Sequence, residues 1–138
     1  MSNNISNKLI LVVEDNLVNQ KVISAMLEKL NHSVDIVANG QQALEKVNEH
    51  RYDIVFMDCQ MPVMDGYAAT REIRKLEEAS GTRTPVVAMT ANVLSEDQGM
   101  CFSAGMDDFM AKPILLDGLK DIIQKWCPEE DSNPRPSP

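Results

Sequence analysis

Polar side chains that could do chemistry stand at the ends of short apolar runs in this 138-residue sequence. Glu14 and Asp15 follow "LILVV", and Asp58 follows "DIVFM". Thr90 ends "PVVAMT", and Lys112 comes directly after "DDFMA". These runs have the composition of buried parallel strands, whose carboxyl ends share one edge of a sheet. We therefore expect the five side chains to converge at that edge.

Three converging carboxylates would repel one another unless a cation lay between them. Two unit charges about 4 Å apart repel by roughly 4 kcal/mol at an effective dielectric constant of 20. Oxygen ligands without a nearby histidine or cysteine pattern favour a hard ion, Mg2+, for which Mn2+ could substitute. Lys112 adds a positive charge and Thr90 a hydroxyl donor, which together with a carboxylate nucleophile suit a phosphoryl group. We predict that Asp58 accepts a phosphoryl group as an aspartyl phosphate.

Five strand and helix pairs are predicted to position these residues, because short apolar runs alternate with segments of helical periodicity. The predicted strands cover residues 8–13, 33–38, 53–57, 85–90 and 107–111, and the predicted helices cover 16–30, 41–49, 65–78, 94–103 and 115–126. Asn16 and Asp65 are predicted as helix caps. Strict alternation implies a single α/β domain with a parallel sheet, right-handed crossovers and helices on both faces.

The domain is predicted to cover residues 8–127, after a polar segment at 1–7 and before a proline-rich tail or linker at 128–138, which we expect to be disordered. The net charge of -8 disfavours binding to nucleic acid, which requires a basic surface. The excess of acidic residues instead favours a protein partner or a small cationic ligand.

Cysteine and histidine residues give no sign of a disulfide framework or a catalytic group. The three cysteines are Cys59, Cys101 and Cys127, and their spacing fits a reducing, cytoplasmic setting. His32 and His50 lie in polar surroundings and are predicted to be solvated. No apolar run reaches the roughly 18 residues of a membrane span, so we expect no direct membrane contact by this chain.

Each candidate residue also has a purely structural interpretation. Glu14 and Asp15 could lead into a helix, Asp58 could stand in a turn, and Lys112 could be an ordinary surface lysine. Thr90 could simply end a strand. Their joint placement at the ends of different strands favours the chemical interpretation.

The segments "VVEDN", "MDCQMPVMDG", "MTAN" and "AKP", in this order, resemble the receiver domain of two-component response regulators over roughly residues 8–126. The resemblance implies a doubly wound, flavodoxin-like (βα)5 fold with strand order 2-1-3-4-5. It also implies that Glu14 and Asp15 form a metal pocket with Asp58, completed by the backbone carbonyl of Gln60. Thr90 and Lys112 would hold the phosphate.

The resemblance extends to signalling. Phe109 matches the family's aromatic switch position, and the Lys112–Pro113 peptide bond is expected to be cis. The phosphodonor would be a histidine kinase or a histidine phosphotransfer domain, docked on apolar residues such as Leu17 or Val18. The longer phrases "EDNLVNQKV" and "MDCQMPVMDGYAATREIR" are most similar to receivers of hybrid sensor kinases, which would place the chain at the inner face of a membrane.

Two alternatives remain at this stage. A phosphate-independent interaction module of the same fold would not need the full set of strand-end residues. A phosphatase resembling haloacid dehalogenases would carry a second aspartate two residues after its nucleophile, where this chain has Gln60. We therefore expect phosphoryl acceptance and hydrolysis by water at Asp58, without the multiple turnovers of an independent enzyme.

Overall fold

A computed structural model of the chain describes residues 7–59, 65–91 and 95–127. Within these ranges the strands are β1 Leu9–Val13, β2 Ser33–Val37, β3 Ile54–Asp58, β4 Val86–Thr90 and β5 Asp108–Ala111. The helices are α1 Leu17–Lys29, α2 Gly40–Glu49, α3 Gly66–Ser80, α4 Ser95–Ala104 and α5 Leu116–Trp126. Every predicted element is therefore present. None of these helices is both long and apolar enough to cross a bilayer.

The strands form one parallel sheet in the order β2-β1-β3-β4-β5, as the resemblance implied. Val13 of β1 lies opposite both Val37 of β2 and Met57 of β3. Asp58 at the end of β3 lies opposite Met89, one residue before the end of β4. This register brings the carboxyl ends of the central strands to nearly the same level, which is the level of the candidate site.

Helices cover both faces of the sheet, and alternate residues of each strand point to opposite faces. One core packs under α2, α3 and α4 and includes Leu11, Val55, Met57 and Ala88. The other packs under α1 and α5 and includes Ile10, Val12, Ile54 and Phe56. Burial on both faces is the reason that the strands appear in the sequence as continuous apolar runs.

The two predicted helix caps are confirmed. The Asn16 side chain accepts a hydrogen bond from the Asn19 N–H at 2.9 Å, and Asp65 accepts one from the Ala68 N–H at 2.8 Å. Each bond satisfies a backbone donor that the first turn of a helix leaves without an intrahelical partner. The caps therefore fix where α1 and α3 begin, close to the ends of β1 and β3.

One histidine is less exposed than its polar surroundings predicted. His32 is half-buried, and its Nδ1 atom accepts a hydrogen bond from the Lys8 N–H at 3.1 Å. This contact joins residues 24 positions apart, so local polarity could not reveal it. His50 is exposed, as predicted.

The last strand begins one residue later than predicted. Asp107, which was predicted to begin it, instead bonds to other elements through its side chain. Its carboxylate bonds to Arg74 at 2.8 Å and to Arg83 at 2.7 Å, and also accepts the Val86 N–H at 2.9 Å. Asp107 thus joins α3 to the start of β4 at the amino edge of the sheet.

Candidate active site

An acidic cluster lies at the carboxyl edge of the sheet. One carboxylate oxygen each from Glu14, Asp15 and Asp58 lie within 4.8 Å of one another. Glu14 directly follows β1 and is 1% exposed, whereas Asp58 ends β3 and is 2% exposed. Asp15 is exposed to solvent. The cluster therefore combines two buried carboxylates with one that faces the cleft.

Hydrogen bonds hold Glu14 on both its backbone and its side chain. Its N–H donates to the Val37 carbonyl at 3.0 Å, and its own carbonyl accepts from Gln20 Nε2 at 2.6 Å. The Oε2 atom accepts the Asn16 N–H at 3.1 Å. In contrast, Oε1 is buried and receives no hydrogen bond from the described part of the chain. The sequence did not single out Gln20 as a supporting residue, because a lone glutamine in a helix carries no spacing signal.

Lys112 partly compensates this negative charge. Its Nζ atom lies 3.1 Å from Asp58 Oδ1 and 3.6 Å from Glu14 Oε1, and its side chain is 26% exposed. The Lys112 N–H donates to the Thr90 carbonyl at 2.8 Å, which ties the lysine to the end of β4. The Lys112–Pro113 peptide bond is cis. One ammonium group thus faces two buried carboxylates.

Burial raises the pKa of Glu14 above its ordinary value of 4.5. The Asn16 N–H opposes this effect, the charge of Asp58 reinforces it, and Lys112 lowers the pKa. Desolvation penalises the charged carboxylate more than these partners stabilise it. The folded protein therefore holds a proton on Glu14 more readily than the unfolded chain does.

The donor set fits a hard divalent cation. All of its donors are carboxylate oxygens, which are the ligands that Mg2+ prefers. The buried Oε1 atom of Glu14, which has no hydrogen bond from the described residues, is available as a ligand. The cluster opens into a cleft of about 540 Å³ lined by Asp15, Asn19 and Lys112 among others. Such a cation would favour the ionised form of Glu14.

Thr90 and Phe109 lie on the neighbouring strands. Thr90 ends β4 and is 7% exposed, one position beyond the residue that lies opposite Asp58. Phe109 in β5 is half-buried against the core under α2, α3 and α4. Its ring meets the exposed ring of Phe102 edge to face, with the centroids 6.2 Å apart. The sequence did not point to Phe102. Gln60, which was expected to supply a backbone carbonyl, lies outside the described residues.

An apolar surface on α1 borders the cluster. Leu17, Val18 and Val22 are 70%, 67% and 44% exposed, although they belong to a helix that packs on the sheet. A groove of about 190 Å³, lined in part by Val22 and Pro113, continues from the site along α1. The surface therefore places exposed apolar side chains directly beside the carboxylates.

Cys59 adjoins Asp58 but is not positioned for chemistry. It is 2% exposed, and burial raises the pKa of its thiol to about 12. The thiolate is the reactive form of cysteine. We therefore interpret Cys59 as part of the core.

Comparison with known proteins gives a consistent result. The model of the response regulator receiver domain family matches residues 10–124. Hybrid signal transduction histidine kinase L of Dictyostelium discoideum is 46% identical over 121 residues, which are 85% of this chain and 7% of that protein. The chain thus spans a small fraction of this kinase, and 6% to 16% of seven other relatives, most of them named as histidine kinases.

This chain is also similar to receiver domains of known structure. The receiver domain of a sensor histidine kinase from Pseudomonas aeruginosa, with a magnesium ion coordinated in its active-site cleft, is 49% identical. It matches with a TM-score of 0.80 over 88% of this chain and 98% of that one. The receiver domain of a Saccharomyces cerevisiae response regulator, crystallised with its histidine phosphotransfer protein, is 30% identical with a TM-score of 0.85, over 90% and 91% of the two chains. Fold, acidic cluster and family match together show that this chain belongs to the response regulator receiver domain family of two-component phosphorelays.

Proposed function

We propose that Asp58 accepts a phosphoryl group from a phosphohistidine of a histidine kinase or a histidine phosphotransfer domain. The observation that carries this proposal is the surroundings of Asp58, a buried carboxylate with an ammonium group at 3.1 Å and two further carboxylates within 4.8 Å. A cluster of this kind is costly for stability alone, since like charges repel strongly when they are buried. It is well suited to binding a cation and a phosphoryl group together.

In the proposed reaction, a carboxylate oxygen of Asp58 attacks the phosphorus atom of the phosphohistidine. A P–O bond forms while the P–N bond to the donor imidazole breaks, which leaves a neutral donor histidine once the nitrogen takes a proton. Lys112 would stabilise the charge that spreads over the phosphoryl oxygens, and the Thr90 hydroxyl would donate a hydrogen bond to one of them. Hydrolysis of the acyl phosphate by water restores the Asp58 carboxylate.

Glu14, Asp15 and Asp58 would hold Mg2+, with the Gln60 carbonyl as a further ligand. The bound ion supplies charge neutralisation for the phosphoryl group. Mn2+ is predicted to substitute for it, because it takes the same oxygen ligands.

The acceptor is tested by labelling with a small-molecule phosphodonor such as acetyl phosphate in the presence of Mg2+. Asp58→Asn should abolish labelling, because the amide keeps the shape of the side chain but is not a nucleophile. Asp65→Asn is the matched control, since Asp65 is an exposed capping aspartate and should leave labelling intact. Equal labelling of Asp58→Asn and the wild type would refute the assignment. An unlabelled wild type would favour a phosphate-independent module, and release of many phosphates per protein would favour a phosphatase.

The apolar surface of α1 is proposed to dock the phosphodonor protein. Leu17 and Val18 are exposed and line the same cleft as Asp58, and apolar residues at the centre of an interface contribute most of its energy. Leu17→Asp should slow phosphotransfer from a phosphotransfer protein while leaving labelling by the small phosphodonor unchanged. Leu76→Asp is the control, because Leu76 is also exposed but lies on α3 beside a different cavity. Equal effects of both substitutions would place the docking face elsewhere.

Phosphorylation is proposed to change a protein-binding surface through Thr90, Lys112 and Phe109. A phosphate shifts the equilibrium between two states only through contacts that differ between them. Thr90→Ala should therefore leave Asp58 able to accept phosphate but uncouple phosphorylation from partner affinity. Lys112→Ala should weaken the coupling and also slow phosphotransfer. If phosphorylated Thr90→Ala showed the same phosphate-dependent change in partner affinity as the wild type, the proposed role of Thr90 would be contradicted.

The relatives favour a parent protein of the hybrid histidine kinase type. On that proposal the receiver would act in the cytoplasm, tethered to a membrane through other parts of the kinase. Sequencing the gene on both sides of this segment tests the proposal directly.

A further inference from the structure

Gly66, the first residue of α3, lies directly against the backbone of Asp58. A Cβ atom built on Gly66 would overlap the Asp58 carbonyl oxygen and would lie 3.1 Å from the Asp58 carbonyl carbon. It would also lie 2.9 Å from Cγ of Met57. The methionine side chain could move away, but the backbone of Asp58 could not avoid this contact without a shift of the strand or of the helix.

The helix side of this contact is firmly held. The Asp65 carboxylate caps the first turn of α3 through the Ala68 N–H, and the next turn inserts Ala69 and Ile73 into the core with no exposed surface. The Thr70 hydroxyl donates to the Gly66 carbonyl at 2.7 Å and is itself fully buried. Moving the start of α3 would therefore disturb close-packed residues.

On the strand side, the chain just beyond Asp58 is held by two long hydrogen bonds. The Cys59 N–H reaches the Met89 carbonyl at 3.2 Å, and the Gly66 N–H reaches the Cys59 carbonyl at 3.3 Å. The first bond is at the long end of the usual range and the second is just beyond it. A side chain at position 66 would consequently displace the end of β3, and with it the side chain of Asp58.

We propose that Gly66 is a positioning residue for the acceptor: its lack of a side chain lets α3 pack against the Asp58 backbone and sets the Asp58 carboxylate relative to Glu14 and Lys112. This inference rests on the proposed function of Asp58. It explains why the helix begins with a glycine, although glycine is a poor helix former and another small residue would suit the first turn better.

The test compares Gly66→Ala with two controls in the full chain. Gly99→Ala adds the same methyl group within α4, where an added Cβ meets no atom of the described residues within 4 Å. Ile123→Val removes one methyl group from the core under α1 and α5, on a helix whose end contacts Asp53 at the opposite edge of the sheet, and so provides a destabilised variant with an intact site. Circular dichroism and thermal unfolding establish that each variant is folded at the assay temperature.

Three measurements are then made on the folded proteins: the Mg2+ dissociation constant, the rate of labelling by acetyl phosphate at saturating Mg2+, and amide chemical shifts by NMR. In Gly66→Ala we expect a labelling rate about 10- to 100-fold lower, because small misplacements of a reacting group are costly. The Mg2+ dissociation constant should rise several-fold. The largest changes in amide chemical shift relative to the wild type should occur at residues 57–59. Gly99→Ala and Ile123→Val should stay within about twofold of the wild type in rate and affinity.

Wild-type rate and Mg2+ affinity in Gly66→Ala would overturn the proposal, as would equal losses in Ile123→Val. Failure of Gly66→Ala to fold would also overturn it, since Gly66 would then be a requirement for folding. If the wild type were not labelled at all, phosphoryl acceptance by Asp58 would be refuted, independently of the role of Gly66. The Mg2+ affinity would then decide alone, because a raised dissociation constant in Gly66→Ala supports the positioning role and an unchanged one refutes it.

Discussion

Replacing Lys112 with methionine should destabilise the Mg2+-free protein, and Mg2+ should recover much of the loss. Methionine keeps the apolar stem of the side chain and removes only the ammonium group. That group lies 3.1 Å from Asp58 and 3.6 Å from Glu14. At an effective dielectric constant of about 20, each attraction is worth roughly 5 kcal/mol before the desolvation of the lysine is counted.

Protonation of Glu14 limits the decrease in the free energy of unfolding. Without the ammonium group, Glu14 can bind a proton instead of remaining charged beside Asp58. For a carboxyl with an ordinary pKa of 4.5 this costs about 3.4 kcal/mol at pH 7, because each pKa unit corresponds to about 1.36 kcal/mol. After the lysine regains its own hydration, we expect a net loss of about 2–3 kcal/mol at pH 7.

The pH dependence of the stability follows from the raised pKa of Glu14. Burial raises the pKa of Glu14 in the folded state, so the folded protein binds more protons than the unfolded chain. The resulting stabilisation is complete below the unfolded-state pKa and is lost as the pH rises through the folded-state pKa. The cost of Lys112→Met should therefore shrink by about 2 kcal/mol, to no more than about 1 kcal/mol, near pH 5.5, where protonating Glu14 costs less free energy.

Urea unfolding followed by circular dichroism measures these differences with and without millimolar Mg2+. Lys75→Met is the matched control, because Lys75 also pairs with a glutamate, Glu72, at 3.2 Å but is 70% exposed. Its removal should change the free energy of unfolding by no more than about 0.5 kcal/mol. Equal losses in the two variants would refute the reasoning, and so would a loss in Lys112→Met that neither Mg2+ nor lower pH reduces.

Further predictions concern groups outside the acidic cluster. Arg74→Met should lose about 3–5 kcal/mol in urea unfolding, since it removes the cationic partner of the buried Glu77 carboxylate and one of the two arginines that bond to Asp107, whereas Arg83→Met, at an exposed position, should lose less than about 1 kcal/mol. Equal losses would contradict this. Burial lowers the pKa of His32, so stability should fall as the pH drops below its ordinary 6.5, and His32→Gln, which keeps an acceptor for the Lys8 N–H, should flatten that dependence. Cys59, with its thiol pKa raised to about 12, should resist alkylation until the protein unfolds; rapid labelling of the native protein, located by mass spectrometry, would contradict its burial.

The secondary structure and the location of the site were largely predictable from the sequence. In a parallel α/β sheet, every strand points in the same direction, so a residue that ends an apolar run must lie at the carboxyl edge. This is why Glu14, Asp58 and Thr90 could be placed together before their contacts were known. The strand order required the family resemblance, because alternation alone does not say on which side of β1 each new strand is added.

Burial and side-chain pairing between distant segments could not be predicted in detail. Glu14 and Asp15 are adjacent acids, yet one is buried and the other exposed, because the chain turns from β1 into α1 between them. Arg74 and Asp107 are 33 residues apart, and each would pass in the sequence for an ordinary charged surface residue. Their burial depends on how α3 packs against the loop before β5.

Gly66 shows most clearly which features the sequence determines and which depend on tertiary packing. The sequence by itself determined that Asp58 ends a buried strand and that a helix follows soon after, since hydrophobic periodicity is a local property. Only the tertiary structure decided that this helix begins in contact with the Asp58 backbone, at a distance that leaves no room for a Cβ atom. The physical reason is that close packing depends on the relative placement of whole elements, which no local pattern of residues specifies.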